Sequence, residues 1–372
     1  MKILGLYGAV GFNTEIKHVH SSGVSLWVES KLINSILEER LDRKKYSGEY
    51  PALSIDYILE NNSLKKEDID VVCYTHNIHT SNINSEQQIT KILKNEFVNA
   101  EIEFCDHHQG HSLGSAYSSP FEKSSIFSAD GAGCSYNHIV NNQLVTEYET
   151  GLFAYYDRAK GITVLNHFKN GLNNRNVFNL GQVYNNISRY IYTRIEPEKS
   201  KKFTNPYLFM ETAPGKIMGL AGYGNADNVD VESLFEVVND KFYFPTIYDR
   251  MYNFDLFKKL DCYEPQDIAA WLQKCFEDAI VDFFECLHPT LKTENLVFSG
   301  GSSLNILVNR KLIDKNIFKD IHVTPWTNDT GLAISSGVYS VLKHEKELPI
   351  FPENLASLGK SYTREDILKA MK

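Results

Sequence analysis

Asn295-Leu296-Val297-Phe298-Ser299-Gly300-Gly301-Ser302-Ser303-Leu304 is the stretch whose reading decides the architecture. The apolar run Asn295 to Phe298 reads as a strand, the glycine pair breaks it, and Leu304 to Leu312 continues at helical spacing. A strand that turns through glycine into a helix N-terminus is a building unit of α/β folds and can cradle an anion or a nucleotide. Glycine pairs also serve such turns for backbone reasons alone, so the ligand reading stays open here. The first half of the chain repeats the alternation. Lys2 to Gly8 and Gly23 to Glu29 read as adjacent strands, Pro51 to Glu60 as a helix, Asp70 to Thr75 as a strand, Ser85 to Asn99 as a helix and Ile102 to Cys105 as a short strand, with a further helix opening near His107. Ser125 to Ala129 is a strand that runs into Asp130-Gly131-Ala132-Gly133, where a second lobe is expected to begin. Asp157 to Asn176, polar and weakly periodic, reads as a long loop. Pro265 to Leu287 carries the strongest helical repeat, and its aromatics and cysteines read as core.

The bulk properties agree with an α/β protein of two lobes. At roughly 150 residues per domain, 372 residues fill about two packed lobes. An apolar share of 42% and a charged share of 23% are ordinary globular usage, which excludes disorder, collagen and coiled coil as descriptions of the whole chain. No window approaches the roughly 18 to 20 apolar residues of a membrane span. The chain opens directly on a strand, so a soluble, cytoplasmic protein without a signal peptide is expected. Six cysteines with no C-x-x-C read as reduced thiols, not a disulfide framework or a zinc ribbon. The net charge of −9 does not draw the whole chain to nucleic acid or anionic lipid. Two basic runs, Arg40 to Lys45 and Lys199 to Lys202, are the local exceptions.

Among groups able to do chemistry, Cys105-Asp106-His107-His108-Gln109-Gly110-His111 stands out. His107 and His111 lie four apart, so a helix would stack both rings on one face, where they can share a divalent ion. A carboxylate must complete such a site. Asp130 and Asp329 both sit at loop ends, where α/β proteins gather active-site groups. His18 and His20, after the first strand, are candidates for proton transfer or for a turn contact. Gly215 to Gly224 is a glycine-spaced segment around Lys216, able to offer N–H groups and a positive charge to a phosphate, although it lacks P-loop spacing. No G-x-G-x-x-G follows the first strand and no H-E-x-x-H occurs, so dehydrogenase and zincin readings lose their support.

Taken in order, these motifs resemble the NodU/CmcH-type O-carbamoyltransferase family, whose first domain is related to the threonylcarbamoyl-transferring enzymes of tRNA modification. The resemblance runs from residue 1 to about 370. It is carried by His20-Ser21-Ser22-Gly23, Glu38-Glu39-Arg40 on to Pro51, His107-His108-Gln109-Gly110-His111, Asp130-Gly131-Ala132-Gly133, Leu180-Gly181-Gln182-Val183-Tyr184, Lys216-Ile217-Met218-Gly219-Leu220-Ala221, Gly300-Gly301 with Leu304-Asn305 and Asn309, and Pro325 with Asp329-Thr330-Gly331. The chain departs from the family pattern at Ser21, where an Asp is usual, and at Tyr46, where a His is usual.

The resemblance implies a duplicated actin- and Hsp70-like (ribonuclease-H-like) α/β fold of two lobes. Residues 1–124 would form an N-terminal lobe with the metal-binding helix, 125–350 a second lobe with the adenosine-binding turn, and 351–372 a tail or linker to an absent adenylate-forming domain. It implies His107, His111 and Asp329 as metal ligands, with iron as the divalent metal and Asp130 beside it. Gly300, Gly301 and Asn305 would form the adenosine-binding turn, Lys216 and Gly219 would face the phosphate, and His20 would lie near the reacting carbonyl. Carbamoyl-adenylate, made from ATP and carbamoyl phosphate by a separate domain or protein, would be the donor. The acceptor would be a small hydroxylated metabolite or sugar. A hydroxymethylated pyrimidine in DNA or a nucleotide is the alternative acceptor, and an actin-like-fold ATPase or kinase, or a non-catalytic binding subunit, the alternative class. A homodimer fits such an enzyme.

Overall fold

A computed structural model describes residues 1–10, 20–76, 83–140, 143–171, 180–201, 206–238, 241–243, 254–287, 291–359 and 361–371. The chain divides into two compact units. The first contains Met1–Thr75, Gln87–Cys105 and Leu332–Lys372, and the second His76–Glu86 and Asp106–Gly331.

In the first unit the chain runs through β1 (Lys2–Tyr7), β2 (Gly23–Val28), β3 (Lys31–Leu37), the one-turn α1 (Glu39–Asp42), α2 (Ala52–Asn61), β4 (Val71–His76), α3 (Ile83–Glu96) and β5 (Glu101–Asp106). The strand order is β3-β2-β1-β4-β5. β1 pairs antiparallel with β2 (Lys2 opposite Val28) and parallel with β4 (Ile3 opposite Val71). Five of the six β1 residues are buried, which is why this central strand reads as an unbroken apolar run and not as an alternation.

The second unit opens with α4 (His107–Ser118) and continues through β6 (Lys123–Ala129), β7 (Ser135–Val140), β8 (Gln143–Asp157), β9 (Gly161–Gly171), α5 (Leu180–Ile195), the one-turn α6 (Pro197–Ser200), α7 (Pro206–Ala221), the pair β10 (Glu236–Val238) and β11 (Lys241–Tyr243), α8 (Phe254–Leu260), α9 (Pro265–Leu287), β12 (Asn295–Ser299), α10 (Ile306–Asp314) and β13 (Asp320–His322). Its main sheet has the order β13-β12-β6-β8-β7, with β9 also on β8. β6 pairs antiparallel with β8 and parallel with β12, and β12 is parallel to β13. The plan of the first sheet therefore recurs: a central strand with an antiparallel neighbour on one side and a parallel crossover neighbour on the other. Phe127, Phe283, Phe284 and Phe298 meet at ring-centroid distances of 5.2–5.4 Å, joining β6 and β12 to the buried stripe of α9. Each such ring contributes about 1.5–3 kcal/mol by leaving water.

The chain then returns to the first unit as α11 (Leu332–Ser340), which packs on β1 and β2, and it ends in the exposed α12 (Arg364–Ala370). Three expectations are corrected. The division expected at residues 124 and 350 lies at Asp106 and Leu332, because the buried face of α4 packs on β6, β8 and β12. The long loop expected at 157–176 is β9 up to Gly171, paired along β8, and 172–179 lie outside the described residues. The segment expected as a tail from 351 is held to the β3 edge as far as Leu358. Leu32 N donates to Ile350 O, Ser35 N donates to Leu358 O, and Phe351 sits edge-on to Trp27.

Candidate metal and nucleotide site

The site is built at the carboxyl ends of β6 and β12, two parallel neighbours in the second unit, where open α/β sheets place their ligands. β6 ends at Ala129 and delivers Asp130, while β12 ends at Ser299 and delivers Gly300 and Gly301. Gly300 holds φ +84°, and a Cβ there would lie 2.4 Å from the Ala129 carbonyl oxygen, so the turn needs glycine. The Gly301 N–H donates to Asp130 Oδ2 at 3.1 Å, and the Gly131 N–H donates to Asp130 Oδ1 at 2.6 Å. The Gly300 N–H donates to Thr327 O at 2.9 Å, tying the turn to the loop that leads to Asp329.

α4 supplies the imidazoles. It begins directly after β5, and the spacing of four brings His107 Nε2 and His111 Nε2 to 3.1 Å of each other, both buried. Asp329 Oδ1 lies 3.6 Å from His107 Nε2 and 3.5 Å from His111 Nε2, and Asp130 Oδ2 lies 3.9 Å and 3.2 Å from the same atoms. Two nitrogens and two carboxylate oxygens, all within 4.8 Å of one another, match the donor set of a divalent transition ion. The electrostatics fit such a site. Burial pushes the Asp130 carboxyl up, but hydrogen bonds from His107 and His111 outweigh it and hold it well below the usual carboxylate range. Burial pulls His111 down, yet its bonds to Asp130 and Asp329 raise it to about 9. A cation in the middle would take over the role of those protons. Glu101, Glu103 and His344 also approach one another in the first unit, but the Lys343 ammonium at 2.5 Å from Glu103 already neutralises that group.

Of the residues singled out from sequence, His107, His111, Asp130, Asp329, Gly300 and Gly301 come together in this one place. Asn305 lies close by in a different part: its Oδ1 caps α10 by accepting from Val308 N, and its side chain exchanges two hydrogen bonds with Gln273 at 2.9 Å each. Lys216 and Gly219 lie on the exposed face of α7, whose helix hydrogen bonds use the N–H groups that were expected to face a phosphate, and the Lys216 ammonium rests over Tyr192. His20 belongs to the first unit, with Nδ1 3.2 Å from Ser21 Oγ, and His18 lies outside the described residues.

Sequence reasoning missed the groups behind the imidazoles. His108 is buried between Ser128 Oγ and the Glu149 carbonyl, and burial lowers it to about 4, so it stays neutral. The Glu149 carbonyl also accepts from Gly133 N at 2.7 Å, and its carboxylate holds His167. Glu149 stands in a strand of mixed polarity, and no local pattern marks it.

Comparisons with known proteins accord with this geometry. The nodulation protein NolNO of Sinorhizobium fredii is 24% identical over 350 residues, covering 86% of this chain and 46% of its own. The uncharacterized protein MJ1058 of Methanocaldococcus jannaschii is 22% identical over 308 residues, 78% of this chain and 45% of its own. The chain thus spans about half the length of these curated relatives. The crystal structure of T. kodakarensis HypF superposes with a TM-score of 0.50 at 13% identity over 96% of this chain and 49% of that one, and the shared architecture is the actin-like α/β fold. Residues 74–338, well over half of the chain and including every member of the His–Asp cluster, match the family described as Carbamoyltransferase N-terminus, and the chain belongs to that family.

Proposed function

We propose that the chain moves a carbamoyl group from carbamoyl-adenylate to the hydroxyl of a small metabolite or sugar, giving a carbamate ester and AMP. The observation that carries this reading is the junction at Asp130: one carboxylate faces the His107–His111 pair and also receives the N–H of the Gly300–Gly301 turn. A cation and a nucleotide bound at that turn would thereby be held side by side.

In this reading His107, His111 and Asp329 hold a divalent ion, iron(II) being our choice, with Asp130 beside it. When bound, that ion supplies Lewis-acid stabilisation for the adenylate phosphate as it leaves. The protein's own groups do the rest. Burial of the imidazoles and of Asp329 keeps water from competing at the donor atoms. Gly300 and Gly301, without side chains, let the turn close on Ala129 and Asp130, and this turn would receive the adenosine. The adenylate would come from a separate domain or protein acting on ATP and carbamoyl phosphate. A nucleic-acid acceptor gains no support from the basic run at 199–202, where Lys199 pairs with Glu196 and Lys201 with Glu198.

The test supplies ATP, carbamoyl phosphate, ferrous iron and an adenylate-forming domain from a family member, with N-acetylglucosamine and glycerol among the acceptors. Product is followed as the mass gain of one carbamoyl group together with AMP. The reading expects His107→Ala and Asp329→Ala to lose metal and transfer together, and full activity in either variant contradicts it.

A further inference from the structure

We infer that His167, oriented by Glu149, is the general base that takes the acceptor's hydroxyl proton; this rests on the carbamoyl-transfer reading above. The Glu149 carboxylate is buried on β8 and receives the His167 Nδ1–H at 2.6 Å. A buried carboxylate on one ring nitrogen fixes the tautomer and leaves the other nitrogen basic, which is the logic of carboxylate–imidazole pairs in acyl transfer. The His167 side chain is 48% exposed, and Nε2 is the ring nitrogen left over for an incoming hydroxyl once Nδ1 is bonded to Glu149.

The pair is tied to the backbone that carries the His–Asp cluster. Glu149 O receives the Gly133 N–H, three residues after Asp130, and contacts His108 Nε2 at 3.3 Å. The next residue, Thr150, accepts the Asp130 N–H through its carbonyl at 3.0 Å. β8 thus fixes the backbone of the proposed metal site and the carboxylate of the pair with consecutive residues.

Charged and titratable groups reach His167 from each neighbouring element. Glu149 comes from β8 and Lys169 from β9, opposite Glu149 in the register, with its ammonium 4.4 Å from the Tyr136 ring on β7. Asp106 comes from the end of β5, just before α4, and His107 and His108 act on Glu149 through space. The hydrogen bond to Glu149 raises His167 above its ordinary 6.5 against the opposing effects of burial and Lys169, with Asp106 adding to the rise. Tyr136 is pushed up by burial and stays neutral.

In the step, the acceptor oxygen bonds to the carbamoyl carbon as its proton passes to His167 Nε2. The bond from that carbon to the phosphate oxygen breaks, and its electron pair leaves with AMP.

The experiment compares wild type, His167→Gln, Glu149→Gln and His20→Gln in the coupled assay, with N-acetylglucosamine as hydroxyl acceptor and hydroxylamine as a nucleophile that needs no base. His167→Gln is expected to lose about 10²–10⁴-fold in kcat toward the sugar. Its transfer to hydroxylamine, its metal content and its thermal unfolding should stay near wild type. In wild type the acid limb of kcat/KM should lie above pH 6.5, and Glu149→Gln should move it down. Added imidazole should restore part of the sugar transfer in His167→Ala. Full sugar transfer by His167→Gln, an equal loss toward both nucleophiles, or a loss confined to His20→Gln would overturn the assignment. Absence of any transfer by wild type would overturn the carbamoyl-transfer reading and this inference with it.

Discussion

At the scale of single residues, buried polar groups differ in whether they find a partner. Asn305 and Gln273 satisfy each other in the core of the second unit, and Tyr184 Oη adds a third bond to Gln273 at 2.8 Å. Gln273→Leu strips all of these at once and should cost about 1–3 kcal/mol in denaturant unfolding. An unchanged midpoint would show that the amide pair is not needed. His322 is the opposite case: its Nε2 is buried with no hydrogen-bond partner among the described residues, and burial lowers its pKa to about 4. The unfolded chain takes up this proton near the ordinary 6.5, whereas the folded chain resists it until about pH 4. The contribution of His322 to stability should therefore be flat above pH 6.5 and fall as pH drops from 6.5 toward 4. His322→Phe, whose ring would lie near Phe121, should flatten part of that slope in thermal melts taken across the window. The imidazole pair was legible in the sequence because a spacing of four has one geometric meaning on a helix. Asn305, expected in the adenosine-binding turn, also carries the N-cap signal of an Asn just before a helical run, and it caps α10.

At the scale of elements, close approach explains what spacing alone does not. α11 lies so near β1 and β2 that a Cβ on Gly337 would sit 1.9 Å from Trp27 Nε1, while Ser25 Oγ donates to Ala333 O at 2.7 Å. Gly337→Ala should destabilise the first unit by about 1–3 kcal/mol or more, read as a lower unfolding midpoint. A neutral result would mean that the helix can lift off the sheet without penalty. α9 was legible to the residue because a 23-residue apolar stripe with proline at its first position leaves no competing period. β9 was not legible, because one flank of this strand faces water and Thr163, Val164 and Leu165 are all exposed. Its register also shifts twice against β8, which breaks the alternation that betrays a strand.

At the scale of the molecule, the α/β class could be read from the run of elements, whereas the duplication shows only in the pairing of strands far apart in sequence, such as β6 with β12. The two sheets share a plan without a shared local sequence, so only the ordered motifs pointed to it. The division of the chain at Asp106 and Leu332 was equally hidden, since it depends on which sheet each helix packs against. The central claim is that His107, His111 and Asp329 hold one cation on which transfer depends. The most direct measurement titrates ferrous iron into metal-free protein and follows bound metal and carbamoylated product together. The account predicts that both saturate at one ion per chain in wild type and vanish together in His111→Ala and Asp329→Ala. Transfer at full rate with no metal bound, or metal retained in Asp329→Ala alongside undiminished product, would contradict it.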